Sequence, residues 1–113
     1  MLGHIVNISS LYSIVAPRLD MYGGNIKHPG YIASKTGLVG LSKYCAVLCA
    51  KDNIKVNCVA PAAVADTQGV EGEFLRKYNS NVPLQRPIPL QECAETVAFL
   101  LRSEKTSQGK IWS

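Results

Sequence analysis

Ile54-Lys55-Val56-Asn57-Cys58-Val59-Ala60-Pro61 decides the fold. The run is short and rich in β-branched and small apolar residues, which is the pattern of a strand buried on both faces. Pro61, lacking a backbone N–H, terminates it. Upstream, Gly3-His4-Ile5-Val6-Asn7-Ile8-Ser9-Ser10 reads as a second buried strand that delivers small hydroxyl residues at its C-terminal edge. Between the two, the segment from Tyr31 to Lys51 carries Leu38, Leu41, Cys45 and Leu48 at helical spacing, so a helix is expected with that stripe packed inward on the sheet. Asp52-Asn53 breaks the helical pattern before the second strand. Strand, loop, helix, strand is the order of a parallel crossover unit, and an α/β class follows.

The helix also carries chemistry. Tyr31 and Lys35 are four residues apart, which stacks a phenol and an ammonium on one face. A unit charge about 4 Å from a developing phenolate, at an effective dielectric of about 20, contributes ~4 kcal/mol and eases proton exchange near neutral pH. Pairs at this spacing also occur on plain solvated helix faces, so the chemical reading depends on what surrounds the pair.

Several spaced motifs surround it. They are the Asn7-Ile8-Ser9-Ser10 strand end, Tyr31-x-x-x-Lys35, Val56-Asn57-Cys58-Val59-x-Pro61, and Val82-Pro83-Leu84-Gln85-Arg86 followed by Gln91-Glu92. The apolar Val97-Ala98-Phe99-Leu100-Leu101 and Ser107-Gln108-Gly109-Lys110-Ile111 complete the series. Together they resemble the short-chain dehydrogenase/reductase family over nearly the whole chain. The resemblance implies a partial Rossmann-type parallel sheet, three C-terminal strands with their helices, and an NAD(P)-dependent oxidoreductase. Residues 1–113 would form the C-terminal part of a single NAD(P)-binding domain. Ser10 would hydrogen-bond the substrate carbonyl, Tyr31 would exchange its proton, and Lys35 would assist the phenol and hold the nicotinamide ribose. Pro61, Ala62 and Val64 would contact the cofactor, NAD or NADP, alongside Tyr31 and Lys35, and the complete enzyme is expected to be a homo-oligomer.

Departures from the family pattern are equally legible. The glycine-rich dinucleotide turn, the Asn-Ala-Gly motif and the helix Asn of the catalytic tetrad are not in this sequence, and Asn7 sits on the wrong element to replace the last. Relatives usually run on past the position of Trp112-Ser113, so both ends read as cut. Ala62 and Ala63 follow Pro61 where glycine is usual, Ile32 is bulkier than the usual residue after the tyrosine, and the hydroxyl expected near Val64 is displaced to Thr67, next to Asp66.

The stretch between Ser10 and Tyr31 is longer than its counterpart in the family and reads as a surface loop at the mouth of the site. Within and beside it, Tyr12, Arg18 and His28 are the candidate substrate contacts. Its hydroxyl, amide and basic groups suit a small polar substrate such as a sugar or sugar acid. Further helices are expected from about Gly72 to Asn79, anchored by Phe74, Leu75 and Tyr78, and from about Leu90 to Ser103, with Ala94, Val97, Ala98 and Leu101 on one face. A last strand begins between Gly109 and Trp112.

Composition narrows the function classes. With 47% hydrophobic and 18% charged residues the chain suits an ordinary folded segment rather than a disordered one. The net charge of +4 comes from 12 basic and 8 acidic residues scattered along the chain, so no basic stripe for nucleic acid forms. No apolar run reaches membrane-spanning length and the N-terminus lacks a secretory pattern, so a cytoplasmic protein is expected. Cys45 and Cys49 share a helix face, but no nearby histidine or cysteine completes a metal shell, and Cys45, Cys49, Cys58 and Cys93 suit buried thiols in a reducing compartment. Two alternatives stand beside the oxidoreductase reading. One is a nucleotide-sugar epimerase or dehydratase of the extended branch, against which the Val-Asn-Cys-Val-x-Pro strand and the Pro-Leu-x-Arg segment argue. The other is a truncated, non-catalytic segment that packs on a partner.

Overall fold

The computed structural model describes residues 2–22, 27–65, 70, 72–102 and 111–112. Strand β1 (Gly3–Ile8) and strand β2 (Ile54–Val59) run parallel, in register from Gly3 beside Ile54 to Ile8 beside Val59. A short β3 (Ile111–Trp112) joins β2 in parallel on its other side, so the sheet order is β1-β2-β3. The expected three-stranded parallel sheet is formed. The middle position of β2 explains its continuous burial: Val56, Asn57, Cys58 and Val59 are all buried. β1 has a neighbour on one side only among the described residues, and its Ile5 and Ile8 remain 44% and 40% exposed.

Helix α1 (Pro29–Cys49) starts two residues before the expected Tyr31. Proline's fixed φ suits a first helical turn, and His28 supplies the cap, its Nδ1 accepting the Gly30 N–H at 2.9 Å. After Cys49 the chain makes one 3-10 turn, Ala50–Asp52, and reverses through Asn53 at φ 57°, ψ 40°. Asparagine tolerates this left-handed conformation better than most residues.

The inward face of α1 differs from the expected stripe. Leu41 and Leu48 are 54% and 51% exposed, whereas Ser42 and Ala46 are buried against the sheet. The reason is a polar tie and small size. Asn7 Nδ2 of β1 donates to Ser42 Oγ at 2.8 Å, and Ser42 Oγ donates to the Leu38 carbonyl at 2.7 Å. Small residues let the helix lie close on β2. Strand parity puts Asn7 and Cys58 on this α1 face, and Asn57 and Val59 on the opposite one.

Helix α2 (Gly72–Asn81) runs two residues beyond its expected end, and α3 (Leu90–Arg102) ends one residue short of the expected Ser103. On α3 the fully buried residue is Leu100 rather than Leu101, which is 46% exposed, and the helix lies against β1. On α2 the Phe74 and Tyr78 rings stack at 5.9 Å between centroids, and the side-chain hydrogen bond from Arg76 holds the Glu73 carboxyl below its ordinary range.

The connection from β1 to α1 is more structured than an open surface loop. It contains two single-turn 3-10 helices, Leu11–Ser13 and Leu19–Tyr22, and Met21 is buried at 8% exposure. Polar ties hold this connection to α2: Lys77 Nζ donates to the Asp20 carbonyl at 3.0 Å, and the Arg18 guanidinium donates to Asn81 Oδ1. The expected polar positions Asp66 and Thr67, and the start of the last strand at 109–110, lie outside the described residues.

Candidate active site

The C-terminal end of β1, the first turns of α1, the segment after β2 and one face of α2 enclose a cavity of about 660 Å³. Parallel sheets place such openings at the carboxyl ends of their strands, where loops diverge. Ser10, Tyr31, Lys35, Pro61, Ala62 and Val64 all border this one space, and Tyr12 and Arg18 join them. His28 does not. It is exposed on the outer side of the α1 N-terminus, its Nδ1 occupied by the Gly30 N–H.

The two adjacent serines have different tasks. Ser9 Oγ donates to the Lys35 carbonyl at 2.7 Å and clamps β1 to α1. Ser10 Oγ instead accepts the Tyr12 N–H at 3.2 Å as the cap of the first 3-10 turn. Accepting a bond leaves the Ser10 hydroxyl proton available to a ligand.

Tyr31 is half-buried in the first turn of α1, and Lys35 follows one turn later. The Lys35 ammonium lies 5.9 Å from the Tyr31 ring centroid and donates to the Ile8 carbonyl at 2.9 Å. The bond to Ile8 ties the ammonium to the end of β1, on the border of the same cavity as Ser10 and Tyr31. An ammonium has three donors, so one bond to Ile8 leaves two.

The segment after β2 is held from both directions. The Leu11 N–H bonds to the Pro61 carbonyl at 2.9 Å, the Ile88 N–H to the Ala63 carbonyl at 2.9 Å, and the Ala65 N–H to the Ile88 carbonyl at 2.9 Å. These bonds present Pro61, Ala62 and Val64 as a fixed wall of small side chains.

One charged cavity residue, Lys27, belongs to the loop expected at the mouth of the site but is not among the candidate contacts. Lys27 Nζ sits 4.2 Å from the Tyr31 ring centroid, closer than Lys35. Its signal is present in the sequence, since Lys27, Tyr31 and Lys35 are each four apart, but Lys27 precedes the helix and helical spacing cannot place it. Much of the remaining wall is apolar, with Leu11, Val15, Met21, Phe74 and Val82. Among the described residues no group of three or more His, Cys, Asp or Glu side chains could hold a metal ion, and no helix is long and apolar enough to cross a membrane.

A family model described as enoyl-(acyl carrier protein) reductase matches residues 2–109. Carbonyl reductase family member 4 of Xenopus tropicalis is 43% identical over 103 residues, which is 89% of this chain and 39% of that protein. The 3-oxoacyl-[acyl-carrier-protein] reductase of Homo sapiens is 39% identical over 103 residues, again 89% of this chain and 39% of that protein. Among solved structures, a short chain dehydrogenase from Leptospira borgpetersenii with bound NAD+ superposes with a TM-score of 0.85 at 25% identity, covering 97% of this chain and 42% of the other. The chain thus spans about two fifths of the length of the relatives it matches.

Proposed function

Since this chain belongs to the short-chain dehydrogenase/reductase family, we propose that it carries the proton-transfer side of a nicotinamide-dependent oxidoreductase site built from Ser10, Tyr31 and Lys35. It would form the C-terminal part of one Rossmann-type NAD(P)-binding domain. The observation that carries the reading is convergence: three side chains from two elements border one cavity, and the Ser10 hydroxyl keeps its proton.

In this reading Ser10 Oγ donates to the carbonyl oxygen of the substrate and holds it near the Tyr31 hydroxyl. Tyr31 then gives its proton to that oxygen as negative charge develops there, or takes it back in the oxidative direction. Lys35, anchored on the Ile8 carbonyl, keeps positive charge beside the phenol throughout. When bound, NAD or NADP supplies or accepts the hydride. The residues present fit its nicotinamide end: Lys35 has donors left for a ribose hydroxyl, and Pro61, Ala62 and Val64 offer a low wall for a flat ring.

The substrate we propose is a small carbonyl compound with an aliphatic portion. The loop composition alone points to a sugar-like molecule, but Leu11, Val15, Met21, Phe74 and Val82 on the wall favour a chain of methylenes, as the names of the acyl-reducing relatives do. A cytoplasmic location and a homo-oligomeric assembly belong to the same proposal, the first supported by the four free thiols.

The test is reduction of short 3-oxoacyl compounds by the intact protein, followed through nicotinamide absorbance. Tyr31→Phe is expected to lower kcat by at least ~10²-fold, because it removes the proton donor. Near-normal turnover in that variant would reject the assignment.

A further inference from the structure

Three cations border the cavity, Arg18, Lys27 and Lys35, and no carboxylate does among the described residues. Two of the three are already engaged. Arg18 pairs with the Asp20 carboxylate at 3.0 Å and donates to Asn81. Lys35 donates to the Ile8 carbonyl at 2.9 Å. Lys27 stands differently: its ammonium rests on the Tyr31 ring face, and no ion pair holds it among the described residues.

A ring face attracts a cation but takes up none of its hydrogen-bond donors in the way a carboxylate does. Lys27 is half-buried and borders a cavity whose wall is largely apolar, a setting in which a charge-assisted bond is stronger than in open water. It is also packed against the residue read above as the proton donor. An anion bound by Lys27 would therefore lie within a few bonds of the reacting carbonyl.

We propose that Lys27 is the anion-binding residue of the substrate subsite, selecting a free 2- or 3-oxo acid, or the corresponding hydroxy acid, whose carboxylate it holds while the carbonyl lies at Ser10 and Tyr31. The inference rests on the Ser10, Tyr31, Lys35 reading and adds the substrate class. It makes Lys27 a specificity residue and favours the free acid over a neutral ester of the same chain.

Binding and turnover separate the two claims. The intact protein is titrated with 3-hydroxybutanoate and with its methyl ester, and binding is followed by NMR shifts of protein resonances. The wild-type protein is expected to bind the anion at least about tenfold more tightly than the ester, an advantage that shrinks with added salt. Lys27→Met should bring that ratio close to one, whereas Lys27→Arg should keep most of it, and circular dichroism of both variants reports that they fold. Equal binding of acid and ester by the wild-type protein, or an unchanged ratio in Lys27→Met, would overturn the proposal. Turnover of 3-oxobutanoate judges the oxidoreductase reading on its own. If no reduction occurs with either nicotinamide cofactor while the Lys27-dependent preference is present, that reading fails and the anion subsite stands.

Discussion

Ser9 and Ser10 are neighbours of one residue type, both buried, at 3% and 8% exposure, and the direction of their hydrogen bonds separates their roles. Ser9 spends its proton on the Lys35 carbonyl, and Ser10 receives a backbone N–H and keeps its own. Ser9→Ala should therefore act on stability, by about 1 kcal/mol for the lost bond, read as a lower melting temperature. In the proposed site, Ser10→Ala should act on kcat, by about tenfold or more, because the substrate's carbonyl oxygen would lose a positioned donor. Melting curves and turnover of the two variants check this assignment, and the opposite pattern would exchange the roles of the two serines.

At the scale of the element, α1 is seated by Ser42 and Ala46 rather than by its leucines. The sequence offers apolar residues on nearly every side of this helix, including Val39, Leu41, Tyr44, Val47 and Leu48, so periodicity cannot say which face turns inward. The choice is made by the half-buried Asn7 amide, which faces α1 and finds its partner in the Ser42 hydroxyl. Ser42→Leu should accordingly cost about 1–3 kcal/mol or more, from crowding against the sheet and the loss of the Asn7 bond. Leu41→Ala, at a position 54% exposed, should cost less. Denaturant unfolding orders the two, and a larger loss in Leu41→Ala would restore the leucine stripe.

For the whole molecule, the consequence is an uncovered apolar surface. Leu41, Tyr44, Val47 and Leu48 on α1 are 54%, 65%, 81% and 51% exposed, and β1 carries an unpaired edge among the described residues. Apolar patches and open edges of this kind seek partners. The 113-residue chain should therefore self-associate through the α1 face at micromolar concentration, and Val47→Lys should weaken the association. Size-exclusion chromatography with light scattering reads the outcome. A monodisperse monomer with a sharp cooperative thermal transition would show that the exposed face needs no partner.

Local physics was enough for much of this protein. The β-branched runs at Gly3–Ile8 and Ile54–Val59 and the turn residues between them determined the strands, and the spacing of Tyr31 and Lys35 determined that their side chains share a helix face. These features depend only on residues close together in the chain. Tertiary structure alone decided which side of α1 is buried, that His28 caps a helix rather than facing the cavity, and that Met21 of the Ser10–Tyr31 connection is buried. It also brought Lys27 onto the Tyr31 ring and tied Arg18 to Asn81, 63 residues away. Each of these depends on where a polar group finds its partner once the sheet and helices have closed together, and a hydrogen bond or a ring contact between distant segments leaves no periodic trace in the sequence.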